Sequence, residues 1–111
     1  MMRVDAIWLA SEPVDMRCGM DTLLARVVRV FGSAQPHQAY CFANRGATRV
    51  KVLMHDGIGI WLAARRLNRG RFTWMSPEMG NQACIDAEQW QALALGLPWQ
   101  RVGSTGAITM M

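Results

Sequence analysis

The side chains able to do chemistry are few: two histidines, three cysteines and eight carboxylates in 111 residues. His37 and Cys41 stand four apart, but no acid lies nearby to orient a base against a thiol nucleophile. The same pair is half of a zinc site without its second ligand pair; Cys18, Cys84 and His55 complete it only if the fold happens to gather them. Asp15, Asp21 and Asp56 are the carboxylates a two-metal nuclease would have to converge. Each also has a structural reading: Asp15 caps the turn before Met16-Arg17, Asp21 opens a helix whose dipole favours an acid, and Asp56-Gly57 is turn chemistry. Gly57-Ile58-Gly59 lacks the Gly-Lys-Ser or Gly-Lys-Thr of a phosphate loop and reads as a hairpin connection. No Gly-x-Ser-x-Gly occurs. The residues therefore predict no catalytic group, metal or cofactor.

The basic residues are more informative. Net charge is +4 and the pI is near 9.6. Residues 1–43 balance four arginines against four acids, and residues 75–111 are net negative. Residues 44–74 hold Arg45, Arg49, Lys51, Arg65, Arg66, Arg69 and Arg71 against Asp56 alone, a net +6. All but one of these cations is Arg, whose planar fork of donors suits phosphate. A localised arginine cluster points to a polyanion partner, or else to a solvated sheet face. Trp61 and Trp74 are interleaved with it and could stack on bases or pack into the core.

The elements that must position these groups follow from periodicity. Ile7-Trp8-Leu9 anchors a first strand over 4–10. Met20, Leu23, Leu24, Val27, Val28 and Phe31 recur at helical spacing, and Gly32 supplies a left-handed stop. From Ala39 the period becomes two. Residues 39–43, 49–55, 59–66 and 71–75 read as strands separated by Asn44-Arg45-Gly46, Asp56-Gly57 and Asn68-Arg69-Gly70. A helical reading of 61–67 is the alternative for the third of these. With one face of the central hairpin buried, register demands Val52 opposite Leu62 across an odd-length loop. That arrangement puts Arg49, Lys51, His55, Trp61 and Arg65 together on the other face. Residues 76–85 read as a loop. Asp86 with Gln89 is a capping box for a second helix, with Trp90, Leu93 and Ala94 on its apolar face and Gly96 and Pro98 as stops.

The length suits one domain over residues 1–100 with a flexible tail over 101–111. Half of the residues are apolar and 18% are charged, which excludes an intrinsically disordered composition. No apolar run approaches the roughly 18 to 20 residues of a membrane span. Met1 to Asp5 carry an early acid and no small-residue cleavage site, and the odd cysteine count suits free thiols in a reducing compartment. The expectation is a cytoplasmic protein with no membrane partner.

Four blocks carry a family resemblance. Pro13-Val14-Asp15-Met16-Arg17-Cys18-Gly19-Met20-Asp21-Thr22-Leu23 resembles Pro-Thr-Asp-Met-Arg-Lys-Gly-Phe-Asp-Gly-Leu. Arg49 to Leu62, with Asp56, Gly57, Gly59 and Trp61, resembles the second block. Arg65-Arg66-Leu67-Asn68-Arg69-Gly70-Arg71-Phe72 is similar to Lys-Arg-Leu-Glu-Arg-Gly-Arg-Phe. Ala92 to Trp99 is similar to the closing Leu-Leu-Glu-Gly-Leu-Asp-Trp. In this order the blocks resemble the TnpB accessory proteins, encoded by the second open reading frame of bacterial insertion sequences of the IS-sixty-six group. This is not the RNA-guided nuclease that shares the TnpB name. The resemblance implies a small accessory protein of transposition made beside a separate transposase that carries the catalytic acids. Cys18, His55, Ile58 and Ala63-Ala64 depart from the usual pattern, removing one cation and some aromatic area. The fold expected is α+β, an antiparallel sheet of four or five strands in a meander, with one amphipathic helix packed on it and a short C-terminal helix. The function expected is non-catalytic binding of DNA at the element ends through Arg45, Arg49, Lys51, Trp61, Arg65, Arg66, Arg69 and Arg71. The family motif residues are Asp15, Arg17, Gly19, Asp21, Asp56, Gly57 and Gly59; Asp15-Met16-Arg17 fixes the helix entry, with Arg17 paired to Asp21 or Asp15. The alternative is an adaptor that binds the transposase or a second accessory protein.

Overall fold

A computed structural model describes residues 3–100, apart from the side chain of Pro77; the tail expected over 101–111 lies outside the described residues. The chain runs β1 (Ala6–Ala10), α1 (Met20–Phe31), β2 (Gln38–Ala43), β3 (Arg49–His55), β4 (Ile60–Arg66), a 3-10 turn (Pro77–Met79), β5 (Gln82–Ile85) and α2 (Ala87–Ala94). The sheet has five strands in the order β4-β3-β2-β1-β5. β2, β3 and β4 form the expected meander, whereas β1 and β2 are parallel and joined through α1, and β5 pairs antiparallel with the other side of β1.

The helices form where the patterns placed them. α1 buries Leu23 and Val27 and ends at Gly32, whose φ of 90° only glycine adopts at no cost. The Asp86 side chain accepts the Gln89 N–H while the Gln89 side chain accepts the Asp86 N–H, closing the capping box of α2. Residues 61–67 are strand down to Arg66, not helix.

Both faces of the sheet are covered. Under α1 lie Tyr40, Phe42 and Leu53 with Ala10, Leu23 and Val27. The opposite face packs Leu9, Cys41, Val50 and Val52 against Phe72, Met75, Leu93 and Trp99. This second cover corrects three expectations. Residues 71–75 are not a strand. The alternation there is carried by Phe72 and Trp74, but the buried pair is Phe72 and Met75, three apart, while the half-buried Trp74 donates its indole N–H to the Ala10 carbonyl (2.8 Å) and the Thr73 carbonyl accepts from Trp99 (2.6 Å). The expected loop over 76–85 instead contains β5, only four residues long. Lastly, the hairpin pairs Val52 with Ala63 and Leu53 with Leu62 through an even, four-residue connection, not Val52 with Leu62. With apolar partners available on both sides, burial of a single face no longer dictates register.

Candidate nucleic-acid interface

The register splits the basic residues between the two faces. Arg49 and Arg66 are directly opposite across β3 and β4 on the α1 side, with Lys51 two residues further along on the same face. Trp61 and Arg65 project from the other face, so the expected single surface of Arg49, Lys51, His55, Trp61 and Arg65 does not exist.

What gathers the arginines is one end of the sheet. The β2–β3 connection is folded around Asn44, whose Oδ1 accepts the N–H groups of Thr48 (2.9 Å) and Arg49 (3.1 Å) while its Nδ2 donates to Thr48 Oγ1 (3.0 Å). The chain leaving β4 is tied to this loop. Leu67 N–H donates to the Thr48 carbonyl (3.3 Å) and Phe72 N–H to the Ala47 carbonyl (2.7 Å). Buried Phe72 fixes the segment, and Gly70 turns it at a φ of 78°. Arg45, Arg49, Arg66, Arg69 and Arg71 are all exposed there, and none has a carboxylate partner among the described residues. Like charges directly opposed, as in Arg49 and Arg66, work against the pair unless an anion shares them.

The other basic candidates are committed elsewhere. Lys51 is half-buried, and its Nζ donates to the Cys18 carbonyl (2.6 Å), tying β3 to the segment before α1. Arg65 Nε donates to the Ala94 carbonyl (2.7 Å) at the end of α2. Arg17 makes a forked pair with Asp15, and its hydrogen bonds hold the Asp15 carboxyl down at about 2. Arg26 and Arg29 share Glu12. Trp61 lies at the far end of β4 from the arginines. It is 55% exposed and donates its indole N–H to Asp56 Oδ2 (2.8 Å). Asp56 Oδ1 accepts from Ile58 (2.8 Å) and Gly59 (2.7 Å), and Gly57 takes a φ of 92°.

The carboxylates do not converge. Asp15 and Asp21 flank the entry to α1 beside the arginine end, with Gly19 as an N-cap lacking a side-chain bond, whereas Asp56 is at the opposite end. Cys41 is fully buried, and desolvation pushes its thiol well above the usual range, as suits a packing group. Among the described residues no three His, Cys, Asp or Glu side chains come together as a metal site would require, and no helix is long and apolar enough to cross a membrane.

One feature escaped the sequence reading. An apolar groove of about 250 Å³ opens between the sheet and α2, lined by Val4, Ile7, Val52, Met54, Ala63 and Trp90 among others. Trp61, paired with Met54, stands on the same face. Alternation along β3 and β4 was the available signal, but it has meaning only once α2 is known to cover that face in part.

The described residues thus form a two-faced α+β sheet with arginines gathered at one end. The family described as IS66 Orf2 like protein matches residues 5–104, and the chain belongs to it. Among curated proteins, it is 35% identical over 100 residues to a Sinorhizobium fredii (strain NBRC 101917 / NGR234) protein described as uncharacterized protein y4hO, covering 89% of this chain and 86% of that one. It is 33% identical over 101 residues to uncharacterized protein y4jC of the same strain, covering 86% and 82%. No solved structure matches the chain.

Proposed function

We propose that the protein is an accessory factor in transposition of an insertion sequence and that it binds DNA through the arginine end of its sheet. Family membership supports the process. The observation that carries DNA binding is the stitching of the 44–48 loop to the 67–72 segment, which presents Arg45, Arg49, Arg66, Arg69 and Arg71 with no acid partner among the described residues. Phosphate contacts dominate such a surface, so sequence discrimination is modest without a partner.

The test is fluorescence anisotropy on the element's terminal repeat and on a scrambled duplex across a salt series. Affinity should fall steeply with salt, with a log–log slope of about −0.9 per phosphate engaged, and Arg69→Ala with Arg71→Ala should flatten that slope by about 2. Absence of binding to either duplex at low salt overturns the reading.

The adaptor reading has its own support. Trp61 is more than half exposed, beside an apolar groove and remote from the arginines, a setting that suits a protein contact better than a base. Trp61→Ala should leave DNA affinity unchanged. If it abolishes binding of the transposase while the arginine variants do not, the adaptor reading leads.

A further inference from the structure

β4 is an edge strand that keeps its hydrogen-bonding capacity open. Asp56 N–H donates to the Gly59 carbonyl, and Leu67 N–H to the Thr48 carbonyl. These two bonds fix the alternation along the hairpin. Gly59, Trp61, Ala63, Arg65 and Leu67 turn their backbone groups toward β3, and Ile60, Leu62, Ala64 and Arg66 turn theirs outward. Among the described residues those outward groups meet no backbone partner. Proteins usually blunt such an edge with a proline, a bulge, short length or charge. Here the strand has seven residues, no proline and unbroken register with β3. Its two charges, Arg65 and Arg66, are crowded at one end.

We propose that the outer edge of β4 pairs antiparallel with β4 of a second copy of this chain, fusing the two sheets into one. A seven-residue strand pairs with itself over its full length about its middle residue, Ala63. Ile60 then faces the partner's Arg66, Trp61 faces the partner's Arg65, and Leu62 faces the partner's Ala64. Every outward N–H and C=O is satisfied, because Ile60 with Arg66 and Leu62 with Ala64 are the hydrogen-bonded pairs. Trp61 and Arg65 fall in a non-hydrogen-bonded pair, where opposed side chains approach closest. A guanidinium beside an indole is a favourable cation–π partner.

The charges select this arrangement. A parallel pairing of two identical edges falls one residue out of step and sets Arg66 beside the partner's Arg65, which like-charge repulsion disfavours. A shift centring the axis on Leu62 gives up the Arg66 pairs. The two interacting side chains are also held before association, Trp61 by Asp56 and Arg65 by the Ala94 carbonyl, so less side-chain freedom is lost on binding. Leu95, exposed next to Ala94, adds apolar surface on that side. The contact is self-complementary, as a two-fold interface requires, and it sets the two arginine ends at opposite ends of the shared sheet.

Sedimentation velocity of the full chain over a range of concentrations reads the assembly. The expected mass is twice the 12.4 kDa of the chain. Trp61→Arg, which opposes Arg to Arg65, should return it to one chain mass while circular dichroism stays native. A register test stands independently of that variant. In a Cys84→Ser background, Ala63→Cys sits on the two-fold axis and should oxidise to a cross-linked dimer, since opposed Cα atoms of such a pair are about 4.5 Å apart. Ala64→Cys, which would face Leu62, should not. A protein that is monomeric at every concentration overturns the proposal. So does a dimer that survives Trp61→Arg, or Ala64→Cys cross-linking as readily as Ala63→Cys.

Discussion

Asp56 does more for this hairpin than its place in a turn suggests. One carboxylate accepts the N–H groups of Ile58 and Gly59 and the indole N–H of Trp61. The Gly59 and Ile58 bonds, then the indole, lower its pKa from 3.8 to about 2. A carboxyl depressed in the folded state stabilises that state above its unfolded value, and the contribution disappears as pH falls through the folded value. Wild type should therefore be more stable than Asp56→Asn near neutrality, with the difference shrinking between about pH 4 and pH 2, as urea midpoints at several pH values would show. Asparagine can keep one acceptor oxygen, but its amide donates where Trp61 needs an acceptor. Asp15 is held down by Arg17 in the same manner, but at an exposed pair beside the arginine end. Neither acid needs a catalytic role to account for its environment.

At the scale of elements, glycines separate two kinds of constraint. Gly96 ends α2 with a φ of 79°, and a Cβ there would lie 3.0 Å from Leu67 Cδ1. Gly96→Ala should cost about 1–2 kcal/mol, measured by urea unfolding. Gly19 is extended, with nothing near its missing Cβ and no side-chain cap on α1. Gly19→Ser should instead stabilise by a few tenths of a kcal/mol. The elements legible in the sequence were those with local codes: the helical stripe from Met20 to Phe31, the Asp86–Gln89 box and the strands of the meander. β5 was illegible because four residues give too short a pattern, and its partner β1 is remote in sequence. Residues 71–75 misled because Phe72 and Trp74 alternate as in a strand, whereas the side chains that reach the core are Phe72 and Met75, three apart. The arginine run was visible as composition. Its division was not, because it depends on a one-residue choice of register that burial on both faces leaves open. The joining of residues 47 and 48 to residues 67 and 72, which makes the arginine end, rests on backbone bonds with no sequence signature.

The whole molecule is a sheet clasped between unequal covers, a full helix on one side and a patchwork on the other. Trp99 closes the patchwork. It is 2% exposed, donates to the Thr73 carbonyl and accepts from the buried Gln89 side chain through its own carbonyl. Trp99→Ala should cost about 3–5 kcal/mol, a large part of the 5–15 kcal/mol typical of a whole domain. Thermal melting with near-ultraviolet circular dichroism would show it. Of the described ion pairs, those of Glu12 and Asp15 neutralise arginines on the first third of the chain, leaving the middle third as the source of the molecule's positive field.

The interior place of β1 has a consequence for how the molecule is made. Of the described strands, β1 is synthesised before β2 and β5, yet it sits between them. Once α1 has carried the chain across to β2, the other side of β1 stays bare until Gln82–Ile85 has been synthesised. At about 5–20 residues per second, that is several seconds in which a nascent chain offers an unfinished sheet to its neighbours. Translation of the stretch from β2 to β5 thus sets a window in which the speed of synthesis bears on the yield of folded molecules alongside the stability of the finished protein.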